Sequence, residues 1–225
     1  MAPRRLPKIM DREDVAKLKG ACQTRSRIGL RNRAALETLH RAGLRVSELC
    51  SLTLADIRWR TQELVVRHGK GDKDRVVPMD DDLAHWLAAW MEKRPANADT
   101  VFCTLRGEAT VPRYWQDAVK RLATKAGLDP ATVTPHVLRH CCATELLDDG
   151  CNIREVQAFL GHSSVATTQI YTHVRPAELG EKVRRIRRQH QAEPAPDPLA
   201  AVLATMTAEQ KQALAQVLLS GSGTP

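Results

Sequence analysis

The sequence predicts a mainly α fold of the α+β class, built around a small antiparallel β-sheet. Three observations carry that expectation. Hydrophobic residues make up 43% of the 225-residue chain but aromatic ones only 4%, so the core must be aliphatic and alanine-rich, a composition that suits helices. Most segments repeat their apolar residues at helical spacing between recognisable start and stop signals. The period changes clearly at one place, to the β-branched runs ELVVRH (63–68) and DRVVPM (74–79) on either side of GKGDK, which reads as a hairpin.

Residues 1–10 are basic and punctuated by proline, and read as an arm or linker. Asp11 opens a helix over DREDVAKLKGAC, with acids in the first turn where the helix dipole favours them. In GLRNRAALETLHRA (29–42), Leu30, Ala34, Leu36 and Leu39 fall at near-helical spacing, and Gly43 ends the helix. GLRVSELCSLTLADI then starts a short helix with Leu44, Leu49 and Leu52 toward the core and Ser47 and Glu48 on its polar side. In the hairpin, Gly69 and Gly71 permit the turn, Lys70 lies at or just before the tip, and Pro78 marks the end of its strand. VFCT (101–104) is a candidate third strand.

DDDLAHWLAAWMEKR (80–94) is a helix acidic at its start and basic at its end, and VPRYWQDAVKRLATKAGL (111–128) is another. Thr134 and Pro135 read as N-cap and first position of the next, stopped at Gly150. Asn152 caps IREVQAFL, stopped at Gly161, and Ser163 or Ser164 caps VATTQIYTHV, with Pro176 soon after. RPAELGEKVRRIRRQH continues as a basic helix. AEPAPDP (192–198) is a linker by composition, and 199–219 reads as a terminal helix or helix pair with an apolar face. The expected organisation is thus an arm over 1–10, one domain over 11–191, a linker over 192–198 and a helical tail over 199–225.

The chain carries 34 Lys and Arg against 26 Asp and Glu, a net charge of +8 and a pI near 9.4, which favours a polyanionic partner, most simply nucleic acid. The six cysteines show no CxxC and no framework spacing, as expected of reduced, mostly buried thiols. The N-terminus has no apolar signal-like stretch, and there is no run of the ~18 apolar residues a membrane span needs. The expectation is a cytoplasmic protein without a membrane partner.

Several polar residues suggest a site for an anion. Arg45 follows a helix-ending glycine, Lys70 sits in a turn, and His136 and Arg139 share a helical face three residues apart. His162 follows Gly161, and Tyr171 comes nine residues later. Two arginines, a lysine and two histidines can surround a phosphate, and a tyrosine attacks one once its proton is assisted away. No group of carboxylates is placed to hold magnesium. His136 and His140 beside Cys141 and Cys142 suggest zinc at first sight, but HVLRH lacks the glutamate of HExxH, and two adjacent cysteines cannot share one face. GKGDK is too short for a phosphate-binding P-loop and lies in a hairpin. Singly, each residue has an ordinary reading as an ion-paired arginine, a turn lysine, a capping histidine or a core tyrosine. In this order and spacing the set does not.

GLRVSEL with Arg45, GKGDKDRVVPM with Lys70, TPHVLRH with His136 and Arg139, LGHSS with His162 and IYTHV with Tyr171 together resemble the motif set of the tyrosine recombinases, the phage-integrase and Xer-type site-specific enzymes. The resemblance covers about residues 11–180 and is nearer to Xer- and integron-type bacterial enzymes than to eukaryotic ones. It implies a tyrosine-recombinase catalytic domain that cleaves and rejoins DNA through a 3′-phosphotyrosyl intermediate. Tyr171 is then the nucleophile, Arg45 and Arg139 clamp the non-bridging oxygens, and Lys70 is the general acid toward the leaving 5′-oxygen. His136 assists proton transfer from Tyr171, and His162 hydrogen-bonds the phosphate. Glu48 matches an acidic position that organises the site, His140 is a supporting or packing residue, and neither metal nor cofactor is needed.

The same resemblance implies double-stranded DNA as partner and a homo-tetramer on paired sites, with a monomer allowed without DNA. The setting implied is DNA recombination or integration by a mobile genetic element. Family members usually carry an N-terminal helical DNA-binding domain of roughly 100 residues. Met1 lies where the linker after it would end, so that core-binding domain is expected to be absent. DNA binding should then rest on phosphate contacts and depend strongly on salt. Lys182, Arg184, Arg185, Arg187 and Arg188 either supply such contacts or form a solvated basic helix. The tail either docks on a neighbouring protomer or packs on its own domain. Two other functions remain open at this level: a DNA-binding fragment or regulator that depends on a partner, and topoisomerase-like relaxation.

Overall fold

The computed structural model describes residues 10–67, 74–161 and 176–191. By internal packing the chain divides into two compact units, Met1–Arg187 and Arg188–Pro225. The first holds α1 (Arg12–Gly20), α2 (Arg27–Arg41), α3 (Val46–Ser51), a 3-10 turn at Leu54–Asp56, β1 (Ile57–Arg58), β2 (Glu63–Val66) and β3 (Arg75–Pro78). It continues with α4 (Asp81–Met91), α5 (Pro112–Lys125), α6 (Pro135–Asp148), α7 (Ile153–Leu160) and most of α8 (Pro176–Gln191). The fold is mainly helical with a small antiparallel sheet, as the sequence predicts; among the described residues its three strands run in the order β1-β2-β3. Leu64 stands opposite both Ile57 and Val77, and Val66 opposite Arg75.

The helices start where local chemistry satisfies their free N–H groups. Asp11 accepts from the Asp14 amide at 2.7 Å, Asp80 from Leu83 at 2.9 Å, Thr134 from Val137 at 3.2 Å, and Asn152 from Arg154 and Glu155 at 3.0 Å. α2 begins two residues before position 29, because Ser26 accepts from the Gly29 amide at 3.0 Å.

One strand is not where the sequence predicts it. Residues 101–104 form no strand of the sheet, whose third member is Ile57–Arg58. The reason lies in the carbonyls of that segment. Trp90 Nε1 donates to Val101 O at 2.8 Å, Thr110 Oγ1 to Phe102 O at 2.9 Å, and Arg31 to Cys103 O at 2.9 Å. Side chains thus take the groups a ladder would use, and Val101, Phe102 and Cys103 are all buried in the core.

α2 lies at the centre and packs against α4 and α6. Its Ala34, Ala35, Leu36 and Leu39 meet Leu87 and Trp90 from α4 and Leu138, Cys142 and Leu146 from α6 in one continuous core. Each buried leucine there stabilises the fold by about 1.5–3 kcal/mol. All six cysteines are free thiols, five buried and Cys50 half-buried.

α2 also carries a buried ionic network. Glu37 accepts from Lys19 Nζ at 2.6 Å, Arg33 Nε at 2.8 Å and Arg41 Nε at 3.0 Å. Arg41 reaches on to Asp80 and Asp82 on α4's first turn, and Arg187 of α8 pairs with Asp80 at 3.2 Å. Lys19 Nζ also donates to His40 Nδ1 at 3.1 Å, which leaves Nε2 to donate to Glu145 at 3.0 Å. The network ties α1, α2, α4, α6 and α8 together. Among the described residues no helix is long and apolar enough to cross a membrane.

Candidate active site

The site forms where α2 and α7 end. Gly43 follows α2 with φ near +60°, and a Cβ there would fall 2.4 Å from a Leu160 methyl. The position therefore needs glycine both for its left-handed backbone and for space. The turn sets Arg45 at the N-cap of α3. From α6, which has Pro135 at its first position, His136 and Arg139 emerge three residues apart on one face.

Arg139 is 5% exposed and straps the two helix ends together. Its NH1 donates to Gly43 O and its NH2 to Leu160 O, the latter at 2.6 Å. Both carbonyls belong to helix C-termini, where partial negative charge favours a cation. Gly161 ends α7 with φ near +67°, and its carbonyl accepts from Arg45 NH2 at 3.4 Å.

Glu48, on the polar side of α3 by the helix pattern, is only 6% exposed. It is buried because arginines come to it. Its carboxylate accepts from the Arg45 amide at 2.8 Å, which closes a capping box, and from Arg45 NH1 at 2.7 Å. Arg75 of β3 grips both oxygens in a fork, at 2.8 and 2.7 Å. Arg139 NH1 stands 3.9 Å away. Burial works to raise the Glu48 carboxyl, but Arg75 and then Arg45 override it and hold it at about 2. Arg139 is pushed down to about 10 by burial, then by Arg45 and Arg75, with only partial relief from Glu48. Three guanidiniums share one carboxylate, which leaves two positive charges uncompensated among the described residues.

His136 is exposed beside this cluster, its ring nearly perpendicular to that of the half-buried His140 at 5.3 Å. Partial burial, then His140, Arg139 and Arg45, lower its pKa below the ordinary histidine value. At neutral pH the ring is therefore a proton acceptor. An open cleft of about 320 Å³ adjoins it, lined by Val46, Gln116, Lys120, Thr134, Pro135 and His136. Among the described residues no three His, Cys, Asp or Glu gather as a metal ion would need.

The described residues thus bring Arg45, Glu48, His136, His140 and Arg139 to one place. Lys70, His162 and Tyr171 lie outside the described residues, as do the predicted helix over 165–174 and the tail. In the basic run, Lys182 pairs with Glu155 at 2.7 Å, Arg184 with Glu181 at 3.3 Å, and Arg187 turns inward to Asp80. Arg185 is exposed, and Arg188 begins the second unit. Arg75 is the residue that sequence reasoning missed. Strand alternation puts it on the same face as Val77, which is fully buried, so a cation in that phase demands a buried partner.

The sequence matches the phage integrase family over residues 8–178. Tyrosine recombinase XerD of Proteus mirabilis is 42% identical over 194 residues, 84% of this chain and 60% of that one. The XerD of Yersinia pestis is 40% identical over 194 residues, 84% of this chain and 63% of that one. This chain therefore spans about three-fifths of the length of those relatives. Among solved structures, XerA recombinase aligns at a TM-score of 0.65 and 31% identity, covering 86% of this chain and 66% of that one. XerH site-specific recombinase, bound to its difH substrate in a pre-cleavage complex, aligns at a TM-score of 0.61 and 30% identity, covering 77% of this chain and 52% of that one. By the match over residues 8–178, and by the fold these relatives share with it, the chain belongs to the phage integrase family.

Proposed function

We propose that the chain is the catalytic part of a site-specific DNA recombinase, which cuts and rejoins strands through Tyr171. The observation that carries this reading is the cluster itself. Two arginines from separate helices converge on one buried carboxylate and leave positive charge uncompensated beside an exposed, neutral His136.

In this reading the scissile phosphate sits between Arg45 and Arg139. The terminal nitrogens of each guanidinium carry more N–H groups than their present partners use, so the non-bridging oxygens are met by fixed donors. Tyr171 gives its proton to His136 as its oxygen attacks phosphorus. The bond from phosphorus to the 5′-oxygen breaks, and that oxygen takes a proton from Lys70. His162 donates a further hydrogen bond to the phosphate. The products are a 3′-phosphotyrosyl bond and a free 5′-hydroxyl. The covalent link keeps the energy of the phosphodiester, so rejoining is the reverse of cutting and needs no ATP. The partner is double-stranded DNA, and four protomers on paired sites would exchange strands through a Holliday junction. Arg185, exposed on α8, is suited to a backbone phosphate.

The test is a nicked suicide duplex whose cleaved piece diffuses away, carrying a core site of an Xer-type relative. Wild type should trap a covalent protein–DNA adduct and Tyr171→Phe should not. An adduct that persists in Tyr171→Phe removes the nucleophile assigned here. Binding without any adduct would make the chain a DNA-binding regulator, and relaxation of supercoils without exchange would make it topoisomerase-like.

A further inference from the structure

We propose that Arg75 is a positioning residue of this site: by occupying both oxygens of Glu48 beside Arg45, it keeps that carboxylate from capturing Arg139. This role rests on the cleavage reading above and extends it to a residue that reaches the phosphate only through its neighbours.

The acceptor capacity of Glu48 shows why a third guanidinium matters. A carboxylate offers about four lone-pair sites. Two are filled by the amide and NH1 of Arg45 and two by the fork of Arg75. Arg139 NH1, at 3.9 Å from Oε2, is then outside hydrogen-bond range and bonds to Gly43 O instead. Without Arg75, half of those sites would open on a buried anion, and the nearest spare donor would be Arg139. Arg139 would swing onto Glu48, and the charge facing a phosphate would drop.

The placement of Arg75 is specified from two sides. Its side chain is 10% exposed. Its Cδ runs so close to Gly161 that a Cβ there would meet it at 2.7 Å. Its Nε is buried without a hydrogen-bond partner, so the whole cation is held by its fork on Glu48. A buried ion pair is an expensive way to fill space, and an apolar residue would pack there at lower cost. What an apolar residue cannot do is saturate Glu48.

A double-mutant cycle separates this role from packing, read as the single-turnover rate of adduct formation on the suicide duplex. Arg75→Met should slow the adduct about thirtyfold, the equivalent of ~2 kcal/mol in barrier. Arg75→Lys, with one ammonium in place of the fork, should recover part of that loss. Adding Glu48→Gln to Arg75→Met removes the charge that Arg75 was needed to hold. The double variant should then react within about threefold of Glu48→Gln alone. An Arg75→Met rate equal to wild type overturns the role, and so do losses that simply multiply in the double variant, as packing would give. A second readout does not depend on activity: the Glu48 carboxyl, titrated by NMR, should move upward in Arg75→Met, and an unmoved titration also overturns the role. Wild type that makes no adduct defeats the cleavage reading, while the Glu48 titration still decides whether Arg75 holds that carboxylate.

Discussion

Two ionic clusters, one along α2 and one just beyond its C-terminal end, differ in how their charges balance. The network around Glu37 matches Lys19, Arg33, Arg41 and Arg187 with Glu37, Asp80, Asp82 and Glu145, and its histidine is neutral. The cluster around Glu48 sets Arg45, Arg75 and Arg139 against a single carboxylate. The first has no charge to spare and binds five helices together. The second holds repelling cations close, a cost that folding alone does not require and that a bound phosphate would relieve. Similar residue types thus give a structural clamp in one place and a candidate catalytic site in the other. The stoichiometry of charge separates them.

The largest expected effect comes from unbalancing the clamp. Glu37→Ala takes the carboxylate from buried Lys19 and from half-buried Arg33 and Arg41, and should destabilise the fold by about 3–5 kcal/mol in urea unfolding, with the adduct rate per folded molecule little changed. A large rate loss at preserved stability would merge the two clusters functionally. Next, Arg139→Lys, which cannot reproduce a forked contact, should slow adduct formation about a hundredfold while costing less stability than Glu37→Ala. The reverse ranking of stability and rate would undo the comparison.

Acid should strike the clamp through His40. Burial, helped by Lys19, pulls His40 down to about 4 from an ordinary 6.5. Between those values the unfolded chain binds a proton that the folded chain refuses, so stability falls as pH falls through that window. Glu37 acts in the same direction at lower pH: burial raises it, but Lys19 and Arg41 override burial and hold it at about 2, below its ordinary 4.5. Unfolding free energies between ~pH 7 and ~pH 4.5 should drop by on the order of 2 kcal/mol from His40, and His40→Gln should flatten that slope. An unchanged slope in His40→Gln would place the acid sensitivity elsewhere. The smallest effect belongs to Asn152→Ala, which removes the cap of α7 for about 1 kcal/mol of stability.

Much of the fold was legible because its signals are local. The helix starts at Asp11, Thr134 and Asn152 were each readable from one side chain and the amides just after it, and each makes that bond. The segment 101–104 misled because three buried residues in a row look the same in a strand and in an irregular core segment. What distinguishes them here is Trp90, Thr110 and Arg31, which take the carbonyls from elsewhere in the chain. Ile57–Arg58 is too short to show a period. In the site, Arg45, His136 and Arg139 were legible as a set from motif order. The burial of Glu48 was not, since it depends on Arg75, 27 residues away in sequence on another element. The roles of Lys70, His162 and Tyr171 rest on motif order.

The most direct measurement is to digest the adduct trapped on the suicide duplex and identify the linked residue and the DNA end by mass spectrometry. The expected product is a 3′-phosphate esterified to the peptide containing Tyr171, with a free 5′-hydroxyl on the released strand. DNA attached to any other residue, or through its 5′ end, would contradict the assignment of this cation-rich cluster to attack by Tyr171.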